Sequence, residues 1–251
     1  MMESLVVLYE DAGMVVVDKP AGLHTAPLRA GETGTLLGLV IERYPEVAAL
    51  PGLKAVEPGL VHRLDRDTSG CVVVARTAEA FQALHAAFRE DRALKVYTAA
   101  CAYPPDAPPE DATLRIASRF APYGEGRRKV RVVLPGGRAP GVPREVSRDL
   151  YATEARIIGR ADNRLLVAAR IRRGFRHQVR AHLAQLGLPI LGDPLYGVPV
   201  PPGYPQRMYL HASRIELPDP ATGARIVVES PLPQAFKDLF PGLSSVERST
   251  P

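Results

Sequence analysis

Two short apolar runs open the chain, Leu5-Val6-Val7-Leu8-Tyr9 and Met14-Val15-Val16-Val17, with Asp11-Ala12-Gly13 between them. Apolar runs of this length bounded by turn residues predict a hairpin of two strands. Asp18-Lys19-Pro20-Ala21-Gly22 ends the second strand, because proline cannot extend a ladder and glycine admits a turn. From Thr35 to Arg43 the spacing of Leu36, Leu39 and Val40 becomes helical, and Pro45 stops it. Val72 to Ala75 is again a strand. Ala78 to Arg89 carries Phe81, Leu84 and Phe88 at i, i+3 and i+7 behind a capping Thr77, which predicts a helix. Lys95 to Ala102 reads as a strand with Lys95, Tyr97, Ala99 and Cys101 on one face.

The second half is richer in turns. Tyr103 to Asp111 is a proline-rich loop, and Phe120 to Arg148 is basic and rich in Gly and Pro around a short strand at Val130 to Leu134. Tyr151 to Ile158 and Leu165 to Ile171 are strands. His177 to Leu186 is expected to be a helix with Val179, Leu183 and Leu186 as its apolar stripe, ended by Gly187 and Pro189. The turn-rich segment Leu191 to Gly197 follows, and Tyr209 to Ala212 and Ile226 to Val228 add strands. Strands outnumber helices and are joined mostly by turns. The expected class is therefore α+β, a mixed and mostly antiparallel sheet flanked by helices and loops. One domain is expected over 1–240, with 241–251 a polar, frayed tail.

The chain has 251 residues, enough to bury a full core, and its apolar and charged fractions, 46% and 24%, are those of a soluble globular protein. It has no apolar run long enough to span a membrane and no signal-peptide pattern at its start, so a cytoplasmic protein is expected. Cys71 and Cys101 both sit in apolar runs and read as reduced core thiols. The net charge of +5 is unevenly placed: Arg115 to Arg180 holds 17 Lys and Arg against 5 Asp and Glu, whereas the remainder holds 15 against 22. A local excess of this size points to a polyanion, and nucleic acid is preferred over charge spread on all sides.

The densest chemistry lies in Gly59-Leu60-Val61-His62-Arg63-Leu64-Asp65-Arg66-Asp67-Thr68-Ser69-Gly70, directly before the apolar run from Cys71. Charges beside a buried strand need partners. Asp65, next to Arg63 and Arg66, either staples a loop or is a reactive carboxylate. Other chemistries fit poorly. The chain has no dinucleotide-binding Gly motif, no P-loop and no Gly-x-Ser-x-Gly elbow. His62-Arg63-Leu64-Asp65 lacks the companion motifs of a kinase, and the six His are scattered, so no metal site is expected. A carboxylate can act at a sugar C1′, as in glycosidases, and a lone one suits a reaction whose leaving group is kept and reused.

Four blocks resemble the RluA-type family of RNA pseudouridine synthases. They are Val17 to Leu23, His62 to Gly70, Arg173 to Leu183 continuing through Gly192 to Gly197, and Leu210 to Arg214. They keep the family's order across nearly the whole chain. The resemblance implies the synthase catalytic fold, without an N-terminal S4 module, and isomerisation of uridines in rRNA or tRNA by base flipping, with no cofactor. Asp65 matches the catalytic aspartate, Tyr97 the tyrosine that stacks on the base and takes the C5 proton, and Arg180 the arginine that pairs with the aspartate. Arg63 matches the side chain that fills the gap left by the flipped nucleotide. Lys19, His62, Arg176 and His177 are the remaining candidate RNA contacts, Lys19 toward phosphate or solvent and the two histidines as structural or RNA-contacting groups. One departure stands out: Phe175 and Arg176 replace the usual Arg and small residue of the third block, which bears on RNA contacts more than on catalysis.

Overall fold

The computed structural model describes residues 5–102, 109–136 and 145–241. The polar tail expected after Pro241, and most of the loop expected from Tyr103, lie outside them. Two compact units share the chain: Met1–Val96 with His211–Pro231, and Tyr97–Leu210 with Leu232–Pro251.

In the first unit, strands β1 (Val6–Glu10) and β2 (Met14–Lys19) form the expected antiparallel hairpin. β2 also pairs antiparallel with β3 (Ser69–Ala75), and the start of β3 runs parallel to β9 (Leu210–Pro218), which pairs in turn with β10 (Arg225–Glu229). Every residue of β3 is buried, as a continuous apolar run requires. Helix α1 (Leu36–Arg43) starts at Thr35, whose hydroxyl accepts from the Gly38 amide, and α2 (Ala78–Arg89) starts at Thr77, whose hydroxyl accepts from Ala80. Phe81, Leu84 and Phe88 turn inward from α2 onto Met14, Val16, Val73 and Ile215. His62 belongs to this packing. Its ring stacks on Phe88 with centroids 4.9 Å apart, and its Nε2 accepts from the Val73 amide at 3.0 Å.

In the second unit the strand order is β4 (Leu94–Ala102, which enters this unit at Tyr97), β8 (Arg164–Ile171), β7 (Tyr151–Ala161), β5 (Thr113–Tyr123) and β6 (Lys129–Val133). β4 is buried on both faces, not amphipathic, and even Lys95 is enclosed. Two elements have no counterpart in the sequence pattern: the eleven-residue β5, and α4 (Gln234–Leu239), whose Phe236 and Leu239 pack on Tyr209 and Leu191. Helix α3 (Gln178–Gln185) is buried from Gln178 through Leu183 and so has no single apolar stripe. Its polar members carry their own partners. His182 is fully buried and bonds Ser118 Oγ through Nε2 at 2.8 Å and Thr153 Oγ1 through Nδ1 at 2.7 Å. Gln178 Nε2 donates to the Ala152 carbonyl at 3.0 Å. The free thiols Cys71 and Cys101 are both buried, and burial, joined by the Asp18 charge, pushes Cys71 up to about 12. No helix is long and apolar enough to cross a membrane among the described residues.

Burial drives His62 down to about 3, with Lys95's charge adding to the effect, and burial alone drives His182 down to about 4. Both rings are therefore neutral when folded but take up a proton near pH 6.5 when unfolded, so stability falls as pH drops below that value. Between pH 7 and pH 5 each histidine should remove about 2 kcal/mol. Urea unfolding at the two pH values measures the loss, and His182→Gln, which cannot titrate, should lose correspondingly less.

Candidate active site

The loop between Leu60 and Gly70 is anchored at Leu64, Arg66, Thr68 and Ser69 in the first unit. Ahead of Asp65, Thr25 Oγ1 donates to the Leu64 carbonyl at 2.8 Å and accepts from the Leu64 amide at 3.2 Å. Beyond Asp65, the Gly22 amide donates to the Arg66 carbonyl at 2.9 Å and Arg66 Nε donates back to the Gly22 carbonyl at 3.0 Å. The Thr68 amide closes the turn onto the Asp65 carbonyl at 3.2 Å. Asp65 is half-buried between these brackets.

Lys19 is expected from the sequence at a phosphate or in solvent, and the structure encloses it. It is 0% exposed, and its Nζ donates to the carbonyls of Pro20, Leu23 and Arg66 at 2.8, 2.7 and 2.8 Å. An ammonium has three donors, so these bonds use its full donor capacity. Lys19 ties the turn after β2 to the far side of the Asp65 loop.

The end of the loop is anchored where β3 meets β9. Ser69 pairs with His211 and Gly70 with Ala212. Gly70 has φ of +113°, and an added Cβ would lie 2.2 Å from the Ala212 carbonyl oxygen, so only glycine allows the strands to meet. Ser69 Oγ lies 2.9 Å from His211 Nδ1, and His211 Nε2 lies 3.3 Å from the Ser230 carbonyl. That carbonyl can only accept, which puts the ring proton on Nε2 and leaves Nδ1 to accept from Ser69. Ser230 Oγ continues the chain to Asp18 at 2.9 Å. Burial raises the Asp18 carboxyl despite the opposing pull of Ser230 and Lys19. Three of the four sequence blocks thus converge in one unit.

The third block lies in the second unit, with Tyr97, which is buried in β4. Arg180, on α3, is buried and grips Asp193 with both prongs of its guanidinium: Nε to Oδ2 and Nη2 to Oδ1, each at 2.7 Å. Asp193 also accepts from the amides of Leu195 and Tyr196 at 2.8 and 3.2 Å. Burial raises its carboxyl, but the Arg180 bonds and charge and the two amides outweigh that and hold it below the ordinary value. Arg180 sits over the Tyr196 ring at 5.4 Å, and the Tyr196 hydroxyl accepts from the Val130 amide at 2.7 Å and lies 3.1 Å from His177 Nδ1. The sequence pattern marks Asp193 only as a turn former. The signal that could have found it is physical: an arginine inside a buried helix demands a carboxylate.

The Phe175-Arg176 departure also has a local explanation. Phe175 stacks on Phe120 with centroids 4.9 Å apart and 6° between planes, and it meets Tyr151 at a tilt. Arg176 is exposed and its Nη2 donates to the carbonyls of Arg127 and Lys129 at 2.6 and 3.3 Å, bracing the turn before β6. Around them, most acids of the basic stretch are already matched: Glu154 by Arg115, Glu145 by Arg127, Asp149 by Arg173 and Asp162 by Arg164. The unit's positive excess is left to its other arginines and lysines.

The family model for RNA pseudouridylate synthase matches residues 13–185. The chain belongs to the RNA pseudouridylate synthase family. It is thereby an isomerase that converts uridine in RNA to pseudouridine. Among its relatives is the ribosomal large subunit pseudouridine synthase D of Pseudomonas aeruginosa, 34% identical over 244 residues, covering 92% of this chain and 69% of the relative. An uncharacterized RNA pseudouridine synthase of Chloroflexus aurantiacus is 36% identical over 218 residues, covering 86% of this chain and 62% of the relative. The synthase also shares its fold with the human RNA pseudouridylate synthase domain containing 1, at a TM-score of 0.67 and 24% identity over 92% of this chain and 84% of that one. The expected α+β synthase fold is therefore found.

Two substitutions test the buried charges of the synthase. Asp193→Ala leaves Arg180 buried without this partner and should cost about 3–5 kcal/mol. Lys19→Met orphans three carbonyls and should cost about 3 kcal/mol. Denaturant unfolding measures both, and losses under about 1 kcal/mol would contradict these structural roles for Asp193 and Lys19.

Proposed function

We propose that the synthase acts on uridines of ribosomal RNA with Asp65 as its catalytic carboxylate. The observation that carries this reading is the bracketing of Asp65: its neighbours on both sides are pinned by Thr25, Gly22 and Lys19, which sets the backbone on either side of the aspartate. Placement within a few tenths of an ångström is what a reaction at C1′ or C2′ demands. The C1′–N1 bond breaks, the uracil turns, and C1′–C5 forms. C5 loses its proton and N1 gains one. Atoms and electrons balance within the substrate, so no cofactor has to supply either.

Tyr97 and Arg180 keep the roles the resemblance implies, base stacking with removal of the C5 proton and charge support for the aspartate. Arg63 fills the place of the flipped nucleotide. The fixed His62 ring supports the arginine that follows it, and Arg176 and His177 face RNA beside the basic strands of the second unit. Ribosomal RNA is favoured over transfer RNA by what the relatives' names state, and a cytoplasmic location is proposed along with that substrate.

Incubation with bacterial ribosomal RNA, and separately with transfer RNA, followed by mapping of pseudouridine through chemical-adduct stops, tests the proposal. Wild type should modify defined ribosomal positions. Asp65→Asn should bind RNA as wild type does and lose turnover at least ~1000-fold. Activity surviving that change would remove Asp65 from the chemistry, modification of transfer RNA alone would overturn the substrate class, and release of free uracil would mark a hydrolase.

A further inference from the structure

Just ahead of the loop lies a buried acid that the proposed reaction does not use. Glu57 is enclosed, its side chain 2% exposed, whereas Arg63, whose Nη1 donates to Glu57 Oε1, is 45% exposed. The segment around Glu57 is built to enclose it. The Glu57 amide turns back onto the Lys54 carbonyl at 3.0 Å, Gly52 bridges to Pro58, and a Cβ on Gly52 would lie 2.2 Å from the Glu57 carbonyl oxygen. Among the described residues, the other cation beside this carboxylate is Lys54, with Nζ at 3.7 Å and a mostly exposed side chain. A guanidinium open to solvent is thus held by one charge-assisted bond to a carboxylate that water barely reaches.

We infer that Glu57 is a positioning residue that holds Arg63 in reserve, and that RNA capture withdraws the arginine from this carboxylate. The inference rests on the proposed role of Arg63 in base flipping. An arginine that enters the base stack must give up Glu57, which then keeps Lys54 as its cation. The exchange sets a fixed cost on every flip, and RNA contacts must offset it. Because only the fraction of molecules with Arg63 released is competent, apparent RNA affinity is lower than the site could provide.

This predicts a gain from removing a buried residue. In full-length protein with bulk bacterial ribosomal RNA as probe, Glu57→Gln should tighten binding and lower KM about tenfold, the worth of one charge-assisted bond, with kcat unchanged. The gain must pass through Arg63. In the Arg63→Gln background, which removes the guanidinium, the same change should move the dissociation constant by less than about twofold. A weaker or unaltered KM in Glu57→Gln, a fall in kcat, or a gain that survives in the Arg63→Gln background would overturn the inference, the last by showing only general repulsion between Glu57 and RNA. If wild type forms no pseudouridine on ribosomal or transfer RNA, the underlying assignment fails and the inference with it. An active wild type without the Glu57 effect removes the inference alone.

Discussion

The buried ammonium of Lys19 is the constraint on which the Asp65 loop depends. A lysine taken wholly out of water is tolerated only when its donors are satisfied, and in this fold three main-chain carbonyls converge on it from two separate segments. Moving either segment would break at least one of these bonds inside the protein. The turn after β2 and the residue after Asp65 therefore move together or not at all. Thr25 and Gly22 extend the same logic to each side of the aspartate. The relay from Ser69 through His211 and Ser230 to Asp18 fixes the point where the loop becomes strand.

Arg180 and Asp193 repeat this principle in the second unit with the charges matched as an ion pair. Buried pairs of this kind add little net stability over an apolar replacement, yet removing one member is costly. Their use is positional: a bidentate grip fixes the guanidinium plane as well as its place. The carboxylate is oriented in turn by two amides of the loop after α3, so the arginine's orientation reaches back to main-chain geometry. The neutral His182, locked between Ser118 and Thr153, holds the same helix to its neighbouring strands.

Much of this is legible along the chain, and the rest is hidden for reasons of distance or pattern. The α2 helix and its Thr77 cap follow from local spacing, and β3 follows from an apolar run. β5 is hidden because its inward positions include Ser118, which is there to meet His182 rather than to supply apolar surface, while Arg115 and Arg119 point outward. α4 spans only six residues, too short for periodicity to register. Lys19 looks like a phosphate-contacting or solvated residue at a strand end because nothing local reveals that Arg66, 47 residues away, brings it a carbonyl. Asp193 looks like a turn residue for the same reason, although the burial of Arg180 requires it. The substituted pair Phe175 and Arg176 shows that a departure from family pattern can be structural: one side chain fills a core beside Phe120 and the other braces the turn before β6.

The central claim is that the aspartate of this pinned loop serves to make pseudouridine in ribosomal RNA. The most direct measurement is the pseudouridine map of ribosomal RNA from cells lacking the gene, set against the parent and against cells complemented with wild type or with Asp65→Asn. The account predicts that one or a few ribosomal positions lose their pseudouridine, regain it with wild type, and stay unmodified with Asp65→Asn. An unchanged map, or recovery by the asparagine variant, would contradict it.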